Sequence, residues 1–182
     1  LIERIGGNNL LCAILLACPD VVLYDATSWD RFCLLVDKKM KRQLELASVA
    51  KLFESLLQGR KNFVLRVKEA SAAVPPSDLL AFILPRSETL ASGNADSQCS
   101  VCAALGSMLP TDWEEIATPE NVAELLLSIC SDPSVTAKVR GESCKAVGAV
   151  CADYLPIHGK SRSTYCGLCN SITITRLHAL SA

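Results

Sequence analysis

This sequence is poor in aromatic side chains and has almost no net charge. Only 5% of its 182 residues are aromatic although half are hydrophobic, and the formal net charge is −1. The strands of a β-sandwich are usually rich in Tyr, Phe, Trp and Thr at alternating positions, which this sequence lacks. The composition therefore favours helices that pack through Leu, Val, Ala and Cys. A net charge near zero excludes a bulk attraction between the whole chain and polyanions such as nucleic acid.

Long apolar runs are missing as well. The run at 10–18 is far shorter than the roughly 20 residues that cross a bilayer. It also lacks the basic flank and the small-residue cleavage site of a secretory signal peptide. We therefore expect no membrane partner.

Ten cysteines are the most unusual part of what is present. A disulfide-dense fold is normally short and rich in loops, and this chain is neither. Most of the cysteines lie in apolar stretches of helical periodicity, where an unpaired cysteine behaves as a small hydrophobic residue: Cys12, Cys33, Cys99, Cys102, Cys130, Cys144 and Cys151. We therefore predict reduced thiols and a cytoplasmic or nuclear location.

An apolar octet occurs twice in the second half of the chain. Residues 102–109 are CAALGSML and residues 144–151 are CKAVGAVC, so alanine and glycine recur at matched positions. A period of about 40 residues carried by an apolar helix is typical of stacked helical repeats. One such unit cannot bury its apolar face alone, so neighbouring units close a shared core.

Helical periodicity and proline stops divide most of the chain into helices. The stripe at 44–57 predicts an amphipathic helix that ends near Gly59, with a further helix at 62–74. The Ser- and Gly-rich interval 85–96 predicts a loop insertion. We predict an all-α fold with 1–182 as one helical-repeat segment, in which hairpins occupy 1–40, 41–84, 96–117 and 118–155, and 163–182 starts another.

Residues 118–155 resemble one HEAT-type repeat, with an apolar first helix, a turn SDPS at 131–134 and a second helix carrying Val139-Arg140 near its start. The resemblance implies an α-α superhelix of stacked antiparallel hairpins; armadillo-type packing is similar and stays open. It also implies that Val139 is a core residue and that Arg140 is structural, with Asp132 as its candidate partner. The function implied is a non-catalytic scaffold segment of a larger protein, which binds protein partners or the rest of its own longer chain.

Two Cys-x-x-Cys pairs are candidates for a structural zinc site: Cys99 with Cys102, and Cys166 with Cys169. The pairs stand much further apart than the roughly 15–20 residues usual in such sites. The first pair also lies inside the octet helix, where packing explains it. A zinc-stabilised module is therefore the least favoured alternative. We predict no cofactor, and no enzymatic activity because no nucleophile arrangement accompanies the two histidines.

Basic residues dominate between 31 and 68 although the whole chain is nearly neutral. If adjacent helices align them, they form a stripe that would meet phosphates or an acidic partner. Nucleic-acid contact, as in a DNA-repair or chromatin-associated solenoid, is thus the alternative to protein binding. The candidate interaction residues are Lys38, Lys39, Lys41, Arg42, Arg60 and Lys61.

Overall fold

The computed structural model describes residues 8–42, 45–66, 74–115 and 119–154, which are helical and contain no strand. The all-α prediction is confirmed at this level. None of these helices combines the length and hydropathy needed to cross a bilayer. The hairpin predicted to start at 163–182 lies outside the described residues. The helices are α1 (Asn8–Ala17), α2 (Asp20–Leu23), α3 (Ala26–Met40), α4 (Leu46–Arg66), α5 (Pro76–Ala91), α6 (Ala95–Leu105), α7 (Asp112–Glu115), α8 (Pro119–Ser131) and α9 (Ala137–Tyr154).

Side-chain caps determine where two of these helices begin. Asp25 Oδ2 accepts a hydrogen bond from the backbone N–H of Ser28 at 2.9 Å, ahead of α3. Asn94 Oδ1 accepts one from the N–H of Ser97 at 2.9 Å, ahead of α6. Each bond satisfies a backbone donor that has no carbonyl partner inside its own helix.

Gly59 does not end a helix, so that prediction is wrong. It lies inside α4, which is one helix of 21 residues and occupies much of the interval predicted as the hairpin 41–84. A Cβ added at Gly59 would stand 2.0 Å from the carbonyl oxygen of Leu15 in α1. The glycine is therefore explained by the close approach of two helix backbones, which only a residue without a side chain permits.

The interval 85–96 is mostly helical, so the predicted loop insertion is wrong too. α5 continues through Pro85 to Ala91, and only residues 92–94 separate it from α6. Proline removes one backbone hydrogen bond from a helix interior. Ile83 and Leu90, on either side of Pro85, are fully buried, and their packing holds the helix together across the interruption.

The long helices fall into two sets by their contacts, which we call the first row (α1, α4, α6 and α9) and the second row (α3, α5 and α8). In the first row α1 contacts α4, α4 contacts α6, and α6 contacts α9. In the second, α3, α5 and α8 each pack against the next long helix in the chain, which is α4, α6 or α9. Within the second row, the ring centroids of Trp29 in α3 and Phe82 in α5 are 5.4 Å apart. The predicted hairpin 118–155 corresponds to the packed pair α8 and α9.

Both octets contribute to this packing, but in different ways. Ala104 and Ala146 are buried, as their inward positions predict. Gly106 faces α9, where an added Cβ would come within 2.9 Å of the Ala146 Cα. An added Cβ at Gly148 meets nothing within 4 Å. Of these two glycines, only Gly106 therefore lies where two helices approach closely.

Candidate functional site

The predicted basic cluster is partly neutralised by an acidic residue of the same chain. Lys38 and Lys39 lie in the last turn of α3, and Lys41 and Arg42 follow it. Glu45 accepts hydrogen bonds from Lys39 Nζ at 2.6 Å and from Arg42 Nη1 at 2.9 Å. These two bonds lower the pKa of the Glu45 carboxyl. Lys38 and Lys41 are exposed.

Arg60 makes an internal ion pair. Its Nη1 donates to both carboxylate oxygens of Asp112, at 2.8 and 2.7 Å, and the two side chains are 12% and 0% exposed. Asp112 Oδ2 also accepts a hydrogen bond from the backbone N–H of Leu109 at 2.8 Å. The pair joins α4 to α7. Arg60 is therefore not available as part of the predicted basic stripe. The neighbouring Lys61 is half-buried.

A groove of about 560 Å³ lies along the first row of helices. α1, α4, α6 and α9 all contribute to it, and we call it the central groove. On α4 and on α9 the charged lining residues are three or four positions apart, which puts them on one face of each helix. Its polar and charged lining consists of Asn8, Asn9, Ser48, Lys51, Glu54, Asp96, Cys99, Ser100, Lys138 and Glu142.

Carboxylates outnumber ammonium groups in the central groove. Glu54, Asp96 and Glu142 line it together with Lys51 and Lys138. Lys51 Nζ donates to Glu54 Oε1 at 2.6 Å, and Lys145 Nζ donates to Glu142 Oε1 at 2.7 Å, so two of these three carboxylates are paired with a lysine. The three carboxylates belong to three different helices, α4, α6 and α9, so the acidic character depends on how the row packs.

Cys99 lies among these charges at the lining of the central groove. Burial raises the pKa of its thiol; Lys138 lowers it, and Glu142, Asp96 and Glu54 each raise it. Nearby negative charges disfavour the thiolate in this way. Burial therefore contributes most to keeping this thiol in its neutral form.

The first Cys-x-x-Cys pair lies in α6, and only one of its two cysteines is fully buried. Cys102 is fully buried, and burial raises the pKa of its thiol to about 12. Among the described residues, no cluster of three or more His, Cys, Asp or Glu side chains is arranged to hold a metal ion. Cys166 and Cys169 lie outside those residues.

Arg140 contacts the turn between α8 and α9, but through a different partner from the one expected. Its Nη1 donates to the carbonyl of Val135. Asp132 Oδ1 instead accepts hydrogen bonds from the N–H and the hydroxyl of Ser134, at 2.8 and 2.6 Å. Those bonds lower the pKa of the Asp132 carboxyl, to which Arg140 adds a smaller charge effect. Val139 is fully buried, as the HEAT resemblance implies.

Two side-chain contacts between helices have no counterpart in the sequence analysis. The Arg86 guanidinium lies 3.8 Å from the centroid of the Phe82 ring and donates to Asp37 of α3 at 2.7 Å. Cys130 Sγ of α8 and Cys144 Sγ of α9 are 3.0 Å apart. The sequence did not predict the central groove either. The spacing of charges along one helix can be read from the sequence, but the identity of the helix that lies opposite cannot.

Comparisons with protein-family models, with curated proteins and with solved structures find no match for this chain.

Proposed function

We propose that this chain is a HEAT-like segment of a non-catalytic scaffold protein, which binds a protein partner in the central groove. The observation that carries the proposal is the row formed by α1, α4, α6 and α9, because all four helices line one groove. In stacked helical repeats each unit contacts its neighbours, and the successive inner helices form an extended binding surface. The second row, α3, α5 and α8, corresponds in this proposal to the outer helices of the repeats.

The partner that fits this groove is a peptide segment carrying Lys or Arg side chains. A groove of about 560 Å³ accommodates several side chains of a peptide rather than a folded domain. Its carboxylates, Glu54, Asp96 and Glu142, complement a basic segment, and such complementarity favours encounter and excludes acidic partners. A cytoplasmic or nuclear location is part of the same proposal.

Nucleic-acid binding receives less support. A phosphate-binding stripe needs cations that remain available to solvent. Arg60 is largely buried and paired with Asp112, and the single carboxylate of Glu45 partly offsets the charges of Lys39 and Arg42. We therefore favour a protein partner over the nucleic-acid alternative.

Selection from a library of short random peptides tests the proposal. We expect the peptides that bind the immobilised chain to be enriched in Lys and Arg and to bind more weakly at high salt. The groove variant Glu54→Gln, Asp96→Asn, Glu142→Gln removes three charges, each worth about 0.2–1 kcal/mol at an exposed site, so it should bind them about 3- to 150-fold more weakly.

A matched variant controls for total charge. Asp30→Asn, Glu88→Gln, Glu124→Gln changes three exposed carboxylates outside the central groove. This control should keep the affinity of the wild type, and thermal unfolding should show that both variants are folded. Selected peptides without basic enrichment, or peptides that bind the groove variant as well as the wild type, would refute the proposal.

A further inference from the structure

Cys130 and Cys144 bring two thiols together between α8 and α9. Their Sγ atoms are 3.0 Å apart, closer than the roughly 3.5–4.0 Å of an ordinary nonbonded carbon contact, and they share a hydrogen bond. A disulfide has an S–S distance of about 2.03–2.05 Å, so closing the pair requires a movement of about 1 Å. Side-chain adjustment within two packed helices supplies a movement of this size without unfolding either one.

The helices around the pair hold the two cysteines in place. The hydroxyl of Ser143, next to Cys144, donates to the carbonyl of Leu126, one turn before Cys130 on α8. The turn between the helices is fixed by Asp132, which accepts two hydrogen bonds from Ser134. Because the backbone is fixed on both sides, the two thiols face each other persistently rather than by chance rotation.

The two thiols differ in exposure, and this gives them different chemical roles. Cys130 is 2% exposed, and burial raises the pKa of its thiol to about 12, with a further rise from its hydrogen bond to Cys144. Cys144 is only partly buried, so a small oxidant reaches it first. An accessible attacking thiol beside a buried resolving thiol is the arrangement that completes thiol–disulfide exchange.

We propose that Cys130 and Cys144 form a reversible intrachain disulfide by exchange with a low-molecular-weight disulfide such as glutathione disulfide. The Cys144 thiolate attacks one sulfur of the oxidant, forming a mixed disulfide and releasing one glutathione. The Cys130 thiol then loses its proton and attacks Cys144 Sγ, which forms the Cys130–Cys144 bond and releases the second glutathione. Two electrons pass from the protein to the oxidant, and the two thiol protons end on the two glutathiones.

The bond would join the two helices of one hairpin across a short loop. Its predicted effect on the protein is stabilisation, because it restricts the unfolded chain. α9 also carries Lys138 and Glu142 of the central groove, so oxidation fixes one wall of the groove against α8. The disulfide proposal itself does not depend on the proposed peptide binding.

Peptide mapping tests the proposal directly. The full chain is incubated with glutathione disulfide, alkylated, and digested with trypsin and a protease that cuts after Glu. Cuts after Glu124, Lys138, Glu142 and Lys145 release residues 125–138 with Cys130 as their only cysteine and residues 143–145 with Cys144. We expect these two peptides to be recovered joined, and separate after treatment with dithiothreitol.

Thermal unfolding provides the second measurement. The oxidised wild type should unfold about 6–12 °C above the reduced protein, as a loop of about 15 residues predicts. Cys144→Ser should lose that shift, whereas Cys18→Ser, which changes an exposed cysteine elsewhere, should keep it. The proposal would be overturned if peptide 125–138 were recovered with Cys130 alkylated, glutathionylated or joined to a cysteine other than Cys144. This peptide is measured in the wild type, so the test does not require Cys144→Ser to fold.

Discussion

Gly59→Ala is the sharpest test of how α1 packs on α4. The new Cβ would stand 2.0 Å from the Leu15 carbonyl oxygen and 3.0 Å from the Leu16 Cα. These are backbone atoms, so no change of side-chain conformation relieves the contact. An ordinary contact begins at 3.4 Å, and α1 must therefore move outward by about 1.4 Å.

The energetic cost follows from what that movement disturbs. Leu11, Cys12 and Leu15 of α1 are buried in the core, and Leu15 has no exposed surface. Overpacking of this kind costs about 1–3 kcal/mol, and the upper part of the range applies because backbone atoms are in the way. Alanine recovers about 0.5–1 kcal/mol through its better helix propensity. We expect a net loss of about 2 kcal/mol, or about 4–8 °C in Tm.

Urea unfolding followed by circular dichroism measures this loss. Gly141→Ala is the matched control, since Gly141 lies in α9 and an added Cβ there meets nothing within 4 Å. The control should gain about 0.5–1 kcal/mol from helix propensity alone. If Gly59→Ala were as stable as the control, the close approach of α1 and α4 would not exist in solution and the reasoning would fail.

Two further substitutions test the electrostatics. Arg60→Met leaves the buried carboxylate of Asp112 without its partner and should lower the free energy of unfolding in urea by about 3–5 kcal/mol. Lys145→Met breaks an exposed ion pair and should lower it by less than about 1 kcal/mol. Equal losses would contradict the burial of the Arg60–Asp112 pair. Hydrogen bonds from Ser28 hold the pKa of the Asp25 carboxyl below its ordinary value of 3.8 in the folded state. The charged cap therefore stabilises the protein fully at pH values above 3.8, and this stabilisation is lost as the pH falls through the lower pKa of the folded state. Asp25→Asn keeps an acceptor that does not titrate, so its stability deficit relative to wild type should shrink as pH falls from about 6 to about 2; a deficit that stays constant over this range would show that the charge contributes nothing.

The second half of the chain was the easier part to predict. An apolar helix starting at a Pro, a polar turn and a second helix with Val139 inward correspond to the packed pair α8 and α9. These features follow from local rules, because caps, prolines and apolar periodicity act within a few residues of where they stand. The same rules predicted a helix at the first octet, which corresponds to α6 with Asn94 as its cap.

The same local rules failed at Gly59 and Pro85. Glycine often follows the end of a helix and proline often breaks one, so each of these residues predicts a helix boundary. Gly59 is instead determined by the backbone of Leu15, 44 positions earlier in the chain, and α5 crosses Pro85 because its apolar residues are buried on both sides. In both cases a contact distant in sequence outweighed the local preference.

Helices with small and branched apolar faces can be predicted from the amino-acid sequence, because composition and a period of a few residues carry that information. Which charges meet across those helices depends on how the helices pack. Glu54, Asp96 and Glu142 line one groove, Arg60 is turned inward to Asp112, and Cys130 lies against Cys144. These contacts could not be predicted because helix register depends on the sum of many weak packing contacts between segments that are distant in the chain, and the sequence of one helix does not specify which helix packs against it.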